Sequence, residues 1–356
     1  MRTYRLVAIP GDNIGPEILE SSLRVLEAVQ RAESNFALKI EKHHAGAFYY
    51  QRHGVRISEE TLEACRRADG VLKAPVGDPS IRTPEGTEAG LLGGVLRVGL
   101  DTYANIRPVR LWAGLASALR NFEPGQIDYV VIRENTEGLY VSRDKGVGNR
   151  HAVADTLLMT RPGVERVCRF AFEFARKRGR GAPADGVKRV TCVGKSNVLK
   201  SYAFFRDIFW EVAEGYPDIQ AEALHSDACA QALILQPVRF NVLVMENFLG
   251  DLLSDLGAAT VGGLGMCPSG NIGEEHSYFE PVHGSAPDIA GKGVANPLSQ
   301  ILSAAMLLEH MGEDAAARRV ERAVWEALKE NSVQLDERGR ALEGTEAITE
   351  AVMSRI

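Results

Sequence analysis

The sequence predicts an α/β protein in which strands alternate with helices, and three observations predict it. Short apolar runs such as "RLVAIP", "IDYVVIRE" and "FNVLVME" have the length and β-branched content of buried strands. Between them lie segments whose apolar residues recur at the helical period. Gly and Pro mark the turns that join the two kinds of segment. Alternation of this kind implies a largely parallel sheet.

The elements follow in order. "RLVAIP" is a strand that runs into the turn "GDNIG". "PEILESSLRVLEAVQRA" places Ile18, Leu19, Leu23, Leu26 and Val29 on one face, with Pro16 at its start, and reads as a helix. "GVLKAPV" is a second strand, followed by a Gly/Pro/Thr-rich stretch through Gly94. "IDYVVIRE" (127–134) and "RVTCVGKS" (189–196) are strands flanking the amphipathic helix "RPGVERVCRFAFEFARKRG". "SYAFFRDIFWEVAEGYP" is a helix and "FNVLVME" a strand, while "PLSQILSAAMLLEHMG" and "AAARRVERAVWEALKE" are helical. The apolar stretch "VMENFLGDLLSDLG" (244–257) carries Asp251 and Asp255 four residues apart. In a helix that spacing puts both carboxylates on one face, roughly 5–6 Å apart at Cβ, where like charges repel.

Composition bounds the function. At 356 residues the chain exceeds the size at which one core keeps growing, so two domains are expected. A hydrophobic fraction of 45% and a charged fraction of 25% are those of a soluble globular protein. A net charge of −6 argues against nucleic acid as a partner. The basic cluster Arg176 to Arg180 runs into Gly181-Ala182-Pro183 and reads as a solvated loop. Five cysteines, odd in number and without a CxxC pair, argue against a disulfide framework or a zinc site. The N-terminus has only about five apolar residues before its first turn, too few for a signal-peptide core. No apolar run approaches the ~18 residues that span a membrane. A cytoplasmic, soluble protein with no membrane partner is expected.

Several common motifs are missing. The first turn, "IPGDNIGPE", does not match the dinucleotide fingerprint G-x-G-x-x-G, and no other glycine cluster does. "VGKSN" resembles the end of a P-loop, but Arg189 stands where that motif needs glycine. No His-Glu-x-x-His or G-x-S-x-G motif occurs.

Three groups of residues carry chemistry. Arg97, Arg107 and Arg133 sit in or beside strand ends and turns, and arginine forks bind carboxylates bidentately. Together they suit a substrate with two or three carboxylates; singly they suit solvated faces. Asp227, Asp251 and Asp255 offer the oxygen-only ligation that Mg²⁺ or Mn²⁺ prefers, or else helix caps and surface charge. "FEPVHGSAPDIAGKGVANP" (279–297) has few large side chains, so a ligand approaches its backbone closely, or it is an ordered surface loop.

Taken together, "GDNIGPE", "LDTYANIRP", "RENTEGLY", "GKSN", "NFLGDLLSDL", "GGLGMCPSGNIG" and "EPVHGSAPDIAGKGVANP" resemble, over nearly the whole chain, the β-decarboxylating dehydrogenases. That family comprises isocitrate, homoisocitrate, 3-isopropylmalate and tartrate/D-malate dehydrogenases. The resemblance implies a two-domain fold with a mixed sheet, not a Rossmann fold. A large domain from residues 1–103 and 262–356 would carry the NAD-binding loops. A small domain, 104–261, would carry the dimer interface and the metal and catalytic residues. Arg97, Arg107 and Arg133 would clamp the malate carboxylates. Asp251 and Asp255 would hold Mg²⁺ or Mn²⁺, with Asp227 supplied by the second subunit of a homodimer. Lys195 would act as base with that Asp227 across the interface, and Tyr140 as general acid. His283, Gly284, Ser285, Ala286 and Asn296 would line the adenosine site, with Glu280 near the nicotinamide ribose. Asp288 and Ile289 stand where NADP-using relatives tend to carry Lys and Tyr. An aspartate accepts hydrogen bonds from ribose hydroxyls and repels a phosphate, which favours NAD.

Two departures bear on the detail. Asn13 replaces the glycine of the usual "GDGIGPE", and asparagine tolerates positive φ, so the turn should survive. Leu91, Gly93 and Gly94, just before Arg97, match neither the Ser/Asn pattern of isocitrate enzymes nor the leucines of isopropylmalate enzymes. "RENTEGLY" leans towards isocitrate, homoisocitrate and tartrate members. The expectation is NAD-dependent, metal-dependent oxidative decarboxylation of a 3-substituted malate, isocitrate/homoisocitrate-like or tartrate/D-malate-like. The alternatives are a 3-isopropylmalate dehydrogenase or a non-catalytic regulatory subunit.

Overall fold

In the computed structural model, which describes residues 1–84, 86–143, 145–336 and 339–356, the chain forms these elements in order. The first part gives β1 (Arg2–Ile9), α1 (Gly15–Glu33), β2 (Phe36–Lys42), α2 (Ala47–His53), α3 (Glu59–Arg67), β3 (Gly70–Lys73) and α4 (Gly93–Gly99). The middle gives β4 (Ala104–Arg110), β5 (Asp128–Glu134), β6 (Val147–Asn149), β7 (Ala152–Ala154), α5 (Arg161–Lys177) and β8 (Arg189–Gly194). It continues with α6 (Lys200–Ala213), β9 (Gln220–His225), α7 (Ser226–Leu235), β10 (Val242–Met245) and α8 (Asn247–Ala259). The last part gives β11 (Pro268–Ile272), β12 (Ser277–Pro281), α9 (Leu298–His310), α10 (Asp314–Lys329) and α11 (Thr345–Met353). No described helix is long and apolar enough to cross a membrane.

The chain divides into two compact units. One comprises Met1–Asp101, Trp112–Leu115 and Gly262–Ile356; the other comprises Thr102–Leu111 and Ala116–Val261. In the first, the strands run in the order β2-β1-β3-β12-β11. β1 pairs in parallel with β2 and β3, and β12 with β3, while β11 and β12 are antiparallel. In the second, the order is β4-β5-β10-β8-β9. There β10 pairs in parallel with β5 and β8, and β8 with β9, while β4 and β5 are antiparallel. The pairing is therefore mixed; residues 273–276 between β11 and β12 are a connection short enough for an antiparallel return. β5, β8 and β10 are buried over nearly their whole length, as strands covered on both faces must be.

Local chemistry explains the helices. α1 carries Pro16 in its first turn and buries Ile18, Leu19, Val25, Leu26 and Val29. Ser58 caps α3 by accepting from Thr61 N at 3.1 Å, and Thr160 caps α5 by accepting from Gly163 N at 3.2 Å. Asn13 adopts φ 53°, so the turn survives without its glycine. All five cysteines are free and buried. Arg97 departs from expectation: it lies in the last turn of α4, not at a strand end. The segment Gly93–Gly99 was hidden because glycines at both ends depress helix propensity.

Candidate active site

The site in the second unit is built on β4, β5 and α8. Glu246, 1% exposed, begins α8 by accepting from Phe248 N and Leu249 N, each at 2.8 Å. That cap satisfies two of the helix's free N–H groups and fixes where its first turn starts. Asp251 and Asp255 then fall on one face, as their spacing requires. Arg107 from mid-β4 is 6% exposed and reaches both. Its Nη1 donates to Ser254 Oγ at 2.7 Å and to Asp255 Oδ1 at 3.2 Å, and its Nη2 lies 3.4 Å from Asp251 Oδ1. Asn105 Oδ1 accepts from Arg107 Nε at 2.7 Å and sets the fork's plane. Arg133 from β5, 1% exposed, donates from Nη1 to Asp251 Oδ1, and from Nε and Nη2 to Asn247 Oδ1 at 3.0 and 2.7 Å. Tyr140 donates its hydroxyl to Asp251 Oδ2 at 2.7 Å, with its ring edge-on to Phe248. Two guanidinium groups therefore offset the repulsion between the aspartates.

Burial sets the electrostatics. It pushes the Tyr140 hydroxyl above its ordinary range, and the bond to Asp251 adds to the effect. It also raises the Asp255 carboxyl, with Arg107 opposing. Lys195 and Asp227 form a separate pair, Nζ to Oδ1 2.9 Å, with Lys195 following β8 and Asp227 in the first turn of α7. The lysine's hydrogen bond holds the Asp227 carboxyl below its usual range. Lys195 and Asp227 are thus paired within one chain. The two elements are neighbours because β8 pairs with β9, which runs directly into α7.

Among the described residues, no three Asp, Glu, His or Cys side chains gather into one metal-binding cluster. Asp251 and Asp255 nonetheless fit a hard dication. Mg²⁺ takes one or two carboxylates from a protein and completes its shell with water and substrate oxygens.

The first unit holds the remaining expected residues. Glu280 on β12 accepts from Asn271 Nδ2 at 3.2 Å and is ion-paired to the buried Lys73 Nζ at 2.6 Å. His283 Nδ1 donates to Gly284 O at 2.9 Å, and burial, with the Lys73 charge, holds the imidazole below its usual range. Ser285 Oγ donates to Gly77 O at 2.6 Å. Ala286 is left-handed at φ 43°, and Asp288 and Ile289 form a short turn whose Asp288 carbonyl accepts from Lys292 Nζ at 2.7 Å. The Asn296 side chain is engaged in the fold: Nδ2 donates to Gly339 O at 3.1 Å, and Oδ1 accepts from Leu298 N at 3.0 Å. Arg97 lies along α4 with its guanidinium carbon 3.6 Å from where a Cβ on Gly93 would stand.

Sequence reasoning missed Asn105, Asn247, Ser254, Gly250 and Lys73. Only Lys73 carried a visible signal, a charge inside the apolar run "GVLKAPV".

The family model described as isocitrate/isopropylmalate dehydrogenase matches residues 5–352. The chain is 39% identical over 345 residues to the 3-isopropylmalate dehydrogenase of Staphylococcus saprophyticus, covering 96% of each. It is 43% identical over 326 residues to the 3-isopropylmalate/3-methylmalate dehydrogenase of Methanocaldococcus jannaschii, covering 91% of each. Among solved structures it is similar to the isocitrate dehydrogenase of Methylococcus capsulatus. There the TM-score is 0.87 and the identity 37%, over 99% of each chain.

Proposed function

Because the chain belongs to the isocitrate/isopropylmalate dehydrogenase family and is a decarboxylating dehydrogenase, we propose that it oxidises and decarboxylates a malate bearing an apolar 3-substituent. The observation that carries this is the segment "LLGGVL" (91–96), which offers no polar side chain just before Arg97. The relatives named 3-isopropylmalate dehydrogenase support it, and favour this alternative over the isocitrate-like or tartrate-like reading. A third carboxylate would find no partner in that segment and would be poorly desolvated there.

The roles follow from side-chain chemistry. Arg97, Arg107 and Arg133 bind the substrate's carboxylates through planar forks. Asp251 and Asp255 would hold Mg²⁺ or Mn²⁺, with Asp227 as the third carboxylate. Lys195, held by Asp227, takes the proton of the substrate hydroxyl. Tyr140 keeps its proton because burial disfavours the phenolate, and delivers it to the carbon that loses carbon dioxide. When bound, NAD accepts the hydride and the dication polarises the ketone as a Lewis acid. Glu280, His283, Gly284, Ser285, Ala286, Asp288, Ile289 and Asn296 form the NAD site, where Asp288 disfavours a 2′-phosphate. The chain acts as a homodimer in which Lys195 and Asp227 serve the second subunit's Asp251 and Asp255. Val147 and Val153 of the β6–β7 ribbon and Leu252 of α8 are exposed apolar side chains that suit such an interface.

The test is NADH formation with Mn²⁺ on 3-isopropylmalate, isocitrate, homoisocitrate, D-malate and tartrate, repeated with NADP and with chelator. The highest kcat/KM is expected for 3-isopropylmalate with NAD, abolished by chelator. Preference for isocitrate would overturn the substrate and leave the reaction standing. Turnover that chelator does not touch would overturn the metal role of Asp251 and Asp255.

A further inference from the structure

Asn13 joins three stretches of the first unit that lie far apart in sequence. Its left-handed backbone, φ 53°, directs the side chain over the loop that follows β3. There Nδ2 donates to Asp78 Oδ2 at 3.1 Å and to Gly77 O at 3.3 Å, and lies 3.4 Å from Ser285 Oγ. A carboxylate and a carbonyl only accept, so the amide nitrogen, not its oxygen, faces them. Both partners are themselves held. Asp78 is 8% exposed and its Oδ1 accepts from Ser80 N at 2.9 Å. Ser285 is 7% exposed, donates to Gly77 O, and accepts at its carbonyl from Ile14 N at 3.1 Å.

The segment beyond Ser285 needs such support. Ala286 adopts φ 43°, which residues with a Cβ rarely take up unless their surroundings hold them. On one side Ile14, Ile18 and Ala295 pack with Ala286, Ile289 and Ala290. On the other stands the polar bracket of Asn13, Gly77, Asp78 and Ser285.

We propose that Asn13 is a positioning residue for the dinucleotide. Through Gly77, Asp78 and Ser285 it holds residues 285–289 in the shape in which Ala286, Asp288 and Ile289 receive the adenosine ribose. This rests on the NAD reading above. Asn13 meets no reacting atom, so its removal lowers the fraction of molecules with the loop in its binding shape and leaves the chemical step alone.

Asn13→Gly tests it cleanly, because glycine adopts φ 53° freely and only the side-chain bonds are lost. Asp78→Asn is the second variant, since its amide would face either Asn13 or Ser80 with a donor against a donor. Three readouts are needed: NADH titration without substrate, KM for NAD against kcat, and hydrogen exchange at Ile14 and Ile289 in the ligand-free chain. Asn13→Gly is expected to weaken NADH binding about threefold to tenfold, as the loss of one or two hydrogen bonds implies. Exchange at both amides should quicken, and kcat should stay within about twofold. The double variant should bind NADH no more weakly than Asp78→Asn alone, because both break one bracket. Unchanged NADH affinity in Asn13→Gly would overturn the inference and leave the dehydrogenase reading intact. A parallel fall of kcat, Tm and affinity would reduce Asn13 to a general structural role. An unaltered chain that binds no NADH would overturn the cofactor reading itself, and this inference with it.

Discussion

Gly250 lies directly against Arg133: a Cβ on Gly250 would stand 2.5 Å from Arg133 Cγ and 2.7 Å from its Cβ. The absent side chain is what lets a guanidinium that is 1% exposed pass α8 and reach both Asn247 and Asp251. A helix–strand approach this close admits no other residue without movement.

Gly250→Ala therefore has an unusual expected sign. Alanine in a helix interior normally stabilises by about 1 kcal/mol over glycine. Here overpacking should cost about 1–3 kcal/mol and displace Arg133. Thermal unfolding and kcat/KM should both fall, kcat/KM by about a hundredfold, the scale set by a misplacement near 1 Å. A stabilised, fully active Gly250→Ala chain would refute the packing account.

Tyr202 gives a pH-dependent prediction. Its buried hydroxyl donates to Glu246 Oε1 at 2.8 Å, and burial, then the Glu246 charge, pushes its pKa upward. Tyr202→Phe should lose about 1.5–3 kcal/mol, the worth of a hydrogen bond to a charged group. The folded state holds this proton more tightly than the unfolded state. The wild type's advantage should therefore be constant through neutral pH and shrink once pH passes about 10, where the unfolded tyrosine ionises. Urea titrations of both chains at pH 7 and pH 10.5 measure it, and an advantage that grows with pH would contradict the assignment.

The Lys195–Asp227 pair lies within one chain, at 2.9 Å, so the two residues travel together in any assembly. If they serve a partner's Asp251 and Asp255, two dead variants should complement each other. Lys195→Met and Asp251→Asn should each be inactive alone. Mixed, unfolded together and refolded, they should regain about a quarter of wild-type activity, since half the dimers are mixed and each has one intact site. No recovery in mixed dimers that are shown to form would place the whole site within one chain.

Much of the architecture was legible in the amino-acid sequence. The strands "IDYVVIRE" and "RVTCVGKS" and the helix between them were readable because burial on both faces leaves nearly continuous apolar runs. Seven ordered motifs supplied the family, and the spacing of Asp251 and Asp255 supplied one face of a helix. Elements with weak local signals were harder. α4 begins and ends in glycine, and β4 carries Pro108 and three charged or amide side chains in seven residues.

What the sequence by itself determined was the inventory: α/β elements, paired aspartates, a run of arginines and a glycine-rich loop. Local periodicity and residue chemistry are enough for that, because each is a property of neighbours along the chain. Only the tertiary structure decided which partners those residues have. Arg107 answers to Asp251 and Asp255 across more than a hundred residues, Lys195 to its own chain's Asp227, and Asn13 to Ser285. Such pairings depend on which strands become neighbours and how closely helices approach them. No local pattern encodes that distance, and packing alone sets it.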